Sequence, residues 1–136
     1  MKFIPVFLVL PLLSGFAKID FNQEIRLILS DKCFKCHGPD AKNQKSDFRL
    51  DSFENATKDH KGMIGLTPGN LEDSEIHWRI RNDDSDEIMP PPKAKLPLTE
   101  REMELLDQWI KEGGKYEEHW SFQALPKKIA VPVSKH

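Results

Sequence analysis

Apolar residues return at helical spacing in three separate stretches, with polar, glycine- and proline-rich runs between them. In the first, Phe21, Ile25, Ile28 and Leu29 share one face, which predicts a helix from Asp20 to about Ser30. Asp20 can cap it, and Gln23 three residues on completes a capping-box pattern. In the second, Ile76 and Ile80 lie four apart, predicting a helix from Asp73 to about Arg81 capped by Asn70 or Asp73. The third is the most strongly patterned. Met103, Leu106 and Ile110 follow one face and Leu105 and Trp109 widen it. Thr99 and Glu102 form a Thr-x-x-Glu capping box, Leu98 and Met103 sit where a hydrophobic staple would place them, and Gly113-Gly114 ends the helix.

The connecting runs are long. Gly38-Pro39 stops any helix, and the polar stretch to about Asn70 is expected to be mostly loop. Asn82–Glu87 is acidic and turn-rich, and leads into Ile88-Met89-Pro90-Pro91-Pro92. The fold expected is therefore all-α and small, with about three main helices and long loops. Two end segments stand apart. Lys2 followed by the apolar run Phe3–Leu13 and by Gly15-Phe16-Ala17 has the form of a secretory signal, cut after Ala17. Its apolar run is too short and proline-broken to span a bilayer stably. From Lys115 the pattern changes, and residues 117–136 are expected to form an extended, linker-like tail. One domain over residues 18–116 remains.

The 136 residues carry a formal charge of −2. Loss of the signal removes Lys2 and no acid, so the mature chain stands near −3, too little to imply nucleic acid or a membrane surface. A domain this size has a thin core of its own. What changes the picture is Cys33-Phe34-Lys35-Cys36-His37, which uses both cysteines of the chain. Two thiols three residues apart with histidine directly after them form a c-type haem attachment motif. The thiols can make thioethers to the two vinyl groups, and His37 can reach the iron as proximal ligand. Covalent haem attachment takes place outside the cytoplasmic membrane, so the motif and the signal support each other and place the protein in the periplasm or an equivalent space. The haem would then also be structural, and a haem-free form poorly folded. The competing readings are a CxxC that holds zinc or cycles as a dithiol.

A second half of the site is expected at Met89. Three prolines stiffen the backbone after it, so its thioether can meet a metal with little entropy left to lose. The alternative is a loop methionine filling an apolar gap. His77 is the rival distal ligand, with a helix-surface histidine the plainer account of it, and Met103 is most simply a core residue. Arg49 can pair with a haem propionate or stand as an exposed arginine. Lys32, Lys35, Lys42 and Lys45 flank the motif, either as a basic patch for an acidic redox partner or as a solvated surface.

Several stretches together resemble the planctomycete-type cytochrome c domain, a branch of the class I cytochrome c fold. They are Phe21–Asp40 (FNQEIRLILSDKCFKCHGPD), Phe48–Ser52 (FRLDS), Thr67–Arg81 (TPGNLEDSEIHWRIR), Met89–Pro92 (MPPP) and Leu98–Trp120 (LTEREMELLDQWIKEGGKYEEHW). The resemblance implies one covalent haem c on Cys33 and Cys36, His37 proximal and Met89 distal. It implies also that the first and last helices cross, bringing Phe21 and Ile25 towards Trp109. Such domains commonly stand at the N-terminus of larger secreted proteins, so the partner expected is a redox protein or a larger C-terminal region. With both axial positions filled, the function expected is one-electron transfer and not catalysis. Two alternatives stand beside it: a five-coordinate haem sensor or peroxidase-like domain if Met89 is not a ligand, and a zinc site of Cys33, Cys36, His37 and a further histidine such as His60 or His77.

Overall fold

A computed structural model describes residues 18–45 and 47–118. The signal expected over 1–17 and the tail from residue 119 onward lie outside the described residues.

The first helical element, α1, extends beyond its expected end. It is built of abutting segments: π-helical Phe21–Ile25, α-helical Arg26–Ile28, π-helical Leu29–Cys33 and α-helical Phe34–His37. The sequence pattern stops near Ser30 because Asp31, Lys32 and Lys35 break the apolar face. The wider π turns rotate the face so that Cys33 and Phe34 still pack on the core. Asp20 caps the helix, its Oδ1 accepting from the Gln23 N–H at 2.9 Å. The reciprocal bond comes from the next residue: the Asp20 N–H donates to Glu24 Oε2 at 2.9 Å. Gly38 ends the run. A Cβ there would stand 2.4 Å from the Phe34 carbonyl oxygen, so only glycine lets the chain turn away.

The stretch expected to be mostly loop contains short structure. Ser52 Oγ accepts from the Asn55 N–H and caps α2, Phe53–Ala56. Strands β1, Asp59–His60, and β2, Met63–Ile64, pair antiparallel, Asp59 opposite Ile64 and His60 opposite Met63. Lys61 and Gly62 both take positive φ, 60° and 89°, as a two-residue hairpin turn requires. The architecture is therefore helices and loops with one small two-stranded sheet, where the sequence led us to expect helices alone.

The second patterned helix, α3, spans Glu75–Ile80, and Ser74 holds its cap position in place of Asn70 or Asp73. The Ser74 hydroxyl ties the preceding loop instead, accepting the Thr67 N–H at 2.9 Å. The third, α4, is Glu100–Lys111 with the Thr99–Glu102 capping box formed in both directions. It buries Leu105, Leu106, Trp109 and Ile110. These meet Phe21, Ile25 and Leu29 of α1 in one core, together with Leu50, Leu66, Ile76 and Ile80. The rings of Phe21 and Trp109 lie 5.9 Å apart, and Tyr116 packs against both. The Tyr116 hydroxyl donates to the Leu50 carbonyl at 2.9 Å, closing the C-terminal end over the core. Residues 117 and 118, assigned to the tail by sequence, are fastened to α1: Asn22 Nδ2 donates to the Glu118 carbonyl at 3.2 Å, and Arg26 Nη2 to that of Glu117. Among the described residues no helix is long and apolar enough to cross a membrane.

Candidate haem site

The C-terminal half of α1 and the loop that follows α3 face one another across a cavity of about 650 Å³. Cys33, Cys36 and His37 line it from one side and Met89 from the other. Ile80, Pro90, Pro91 and Leu96 supply apolar wall. Helical spacing puts Cys33 and His37, four residues apart, on the same face one turn from each other, with Cys36 beside them. The cysteines are free thiols. Burial pushes the Cys33 thiol up to about 12, with Cys36 and Glu102 adding to the shift, so the sulfur stays protonated at neutral pH.

His37 is oriented through its far nitrogen. Nδ1 stands 2.8 Å from the Phe48 carbonyl oxygen. A carbonyl only accepts, so Nδ1 carries the proton and Nε2 keeps a free lone pair, as a metal-binding imidazole requires. The Phe48 ring stands edge-on to His37, with centroids 5.9 Å apart, and limits its rotation. The Leu50 N–H donates to the His37 carbonyl at 2.8 Å, so residues 48–50 run beside the end of α1 and bond both the ring and the backbone of His37. An orienting backbone carbonyl is expected for such a histidine, but one eleven positions away leaves no side-chain signature, which is why the sequence could not name it.

The other candidates lie elsewhere. His77 is not among the cavity-lining residues: its Nδ1 pairs with Asp107 Oδ1 at 2.6 Å, and Arg81 binds the other oxygen of that carboxylate at 2.8 Å, so the trio joins α3 to α4. His60 packs against the Phe48 ring on the hairpin. Met103 packs against the core. Among the described residues no three His, Cys, Asp or Glu side chains are grouped so as to hold a metal ion, which leaves the zinc alternative without its ligand set.

Arg49 does not line the cavity; its guanidinium makes a two-point ion pair with Asp51. Burial works against the Asp51 charge, yet the bonds from Arg49 and Asn55 hold its carboxyl below the usual carboxylate range. The sign follows directly. A depressed acid stabilises the fold above its unfolded value, near 4, and that contribution is lost as pH falls through the folded value. Asp51→Asn should therefore lower neutral-pH stability by about 1–2 kcal/mol, given the partial exposure of Arg49, and flatten the acid limb of a stability-versus-pH curve. Thermal melts of the haem-loaded protein at pH 3 to 7 read both effects; an unchanged acid limb would exclude this role.

The cavity rim is basic. Lys32, Lys35, Lys45 and Lys93 border it against a single acid, Asp86, although the chain as a whole is slightly acidic. Lys42 of the expected patch is not on the rim, and Lys93 is an addition that the sequence separates from the motif by more than fifty residues. Lys32 is paired with Asp31 at 3.0 Å; among the described residues Lys35, Lys45 and Lys93 make no ion pair.

The residues present suit a haem. A cavity of this size is in the range that holds cofactors, it is apolar over much of its wall, and its donors are two thiols, one imidazole nitrogen and one thioether. No curated protein and no solved structure matches the chain. A family model described as planctomycete cytochrome C matches residues 33–93, which begin at the first motif cysteine and end just past the prolines that follow Met89. This segment carries both sides of the cavity, and through it the chain is similar to planctomycete cytochrome c.

Proposed function

We propose that this protein is an exported electron carrier holding one haem c, with Cys33 and Cys36 as the covalent attachment points and His37 and Met89 as axial ligands. The observation that carries the proposal is the convergence of these four side chains on one cavity, with His37 already oriented through Nδ1. The similarity to planctomycete cytochrome c over residues 33–93 supports haem binding and electron transfer in general; the ligand pair and the attachment are this reading's own.

When bound, haem c supplies the one-electron Fe(III)/Fe(II) couple. The chain's residues do the rest. Cys33 and Cys36 Sγ would hold it through two thioether bonds. His37 Nε2 would be one iron ligand, with Nδ1–H kept on the Phe48 carbonyl, which raises the basicity of the ring. The Met89 thioether would be the other, and such a ligand favours the reduced state. Ile80, Pro90 and Leu96 exclude water from the faces and strengthen each electrostatic interaction inside. With His37 and Met89 both bound, no ligand position would be left for oxygen or peroxide. Lys35, Lys45 and Lys93 form a positive rim that favours docking of an acidic redox partner.

The test is the visible spectrum of protein exported from a host able to mature c-type haem. Sharp c-type bands on reduction, and the weak far-red band of a methionine–iron(III) bond on oxidation, are expected. Rapid carbon monoxide binding by the reduced protein would instead favour the five-coordinate sensor or peroxidase-like reading. Oxidation by ferricyanide, an anionic probe, should slow as salt is raised; a rate that does not fall would remove the basic rim from the proposal.

A further inference from the structure

Helix α3 fastens the loop that carries Met89, and one residue makes the attachment. The Met89 N–H donates to the Arg79 carbonyl at 3.0 Å. The Arg79 guanidinium bonds Glu87 twice, Nη1 reaching the carbonyl oxygen at 3.3 Å and Oε2 at 2.6 Å. Its Nε is held in turn by Glu75 Oε1 at 2.8 Å, one helical turn back. The loop's other N–H bonds, from Asp84, Asp86, Glu87 and Ile88, stay within residues 82–88. Beyond Met89 the three prolines have no N–H to give. Arg79 thus grips the loop at residues 87 and 89, immediately before the segment that donates nothing. The Arg79 side chain is 26 % exposed, which shields the pair from water on one side.

We infer that Arg79 is the positioning residue for Met89, fixing the loop so that the thioether stays on the cavity wall. This rests on the reading of Met89 as a ligand. It gives α3 a task beyond packing Ile76 and Ile80: the same turn that buries Ile80 into the cavity wall holds the opposite ligand loop through Arg79. Glu75 pre-orients the guanidinium, so the loop meets a cation whose geometry is already set.

The experiment uses the haem-loaded full chain and imidazole as an external ligand that enters only when Met89 leaves. Arg79→Met keeps an unbranched stem and helix propensity but removes the guanidinium. It is expected to retain haem, to weaken the far-red band and to bind imidazole about tenfold faster, a change that one charge-assisted hydrogen bond accounts for. Arg79→Lys, which restores the charge but not the fork, should recover part of the difference. Glu87→Gln should shift the rate the same way, by about threefold. Glu75→Gln, which loosens only the contact within the helix, should change it less than Glu87→Gln does. An Arg79→Met protein with the parent's band and imidazole rate would overturn the inference. Should that variant fail to hold haem, Glu87→Gln decides, and a rate equal to the parent's overturns it. A parent without the far-red band overturns the ligand reading, and the inference with it; a parent with the band and variants unchanged overturns the inference alone.

Discussion

Met89→Ala is expected to give a protein that keeps its covalent haem and its reduced c-type bands, loses the far-red band, and opens to external ligands. The cavity walls are contributed by α1, by Ile80 of α3 and by the proline run, none of which depends on the methionine side chain. Attachment through Cys33 and Cys36 is likewise untouched. What changes is one donor. If Met89 closes the site with a preference of about 3 kcal/mol, carbon monoxide and cyanide gain roughly a hundredfold in apparent affinity when it is removed. The potential should fall, because the thioether that favoured the reduced state is gone. The expected rivals cannot fill the place from where they stand: His77 is bound to Asp107, and Met103 is packed on the core. Equilibrium titration with carbon monoxide and a redox titration check both effects. A variant that keeps the far-red band would show that Met89 is not the ligand.

The parts of this molecule that the sequence could bring together are those where residue types recur at a fixed local spacing. Cys33, Cys36 and His37 are such a set and line one cavity wall, and so is the Thr99–Glu102 box, which forms as expected because both of its bonds are local. Met89 could be expected beside them only in combination, through the stiff prolines after it and the motif before it. The misses have a common cause as well. The end of α1 was placed too early because its π turns shift the register on which a periodicity argument depends. The hairpin at 59–64 was missed because strands of two residues show no alternation, and its only signal is a Lys-Gly pair able to take positive φ. The Phe48 carbonyl and the Arg79 carbonyl act as backbone atoms, and backbone acceptors are the same at every residue. Lys93 joins the rim only once the chain has folded back past the prolines. The side chains that meet at the cavity could be expected in advance; the atoms that aim them could not.

The largest loss is expected from the double variant Cys33→Ala, Cys36→Ala. Without haem, a cleft of about 650 Å³ leaves the apolar wall of Ile80, Pro90, Pro91 and Leu96 facing water. Without a covalently held haem the walls must close in or admit water, and either change reaches the core. Ile80 belongs both to the cavity wall and to the core, and Cys33 and Phe34 pack against the same cluster. Closure would also draw Met89 off the Arg79 carbonyl and the end of α1 off the Phe48 carbonyl. The small local elements should survive better than the packing between them, since the bonds of the Thr99–Glu102 box are local and Phe21 and Trp109 are not part of the cavity wall. The expected product retains part of its far-UV helical signal, binds a hydrophobic dye and melts without a cooperative transition. Circular dichroism and calorimetry, set beside the haem-loaded parent, make the comparison. A cooperative transition near the parent's temperature would show that the haem is held by this fold but does not hold it together, and would restrict its role to the electron.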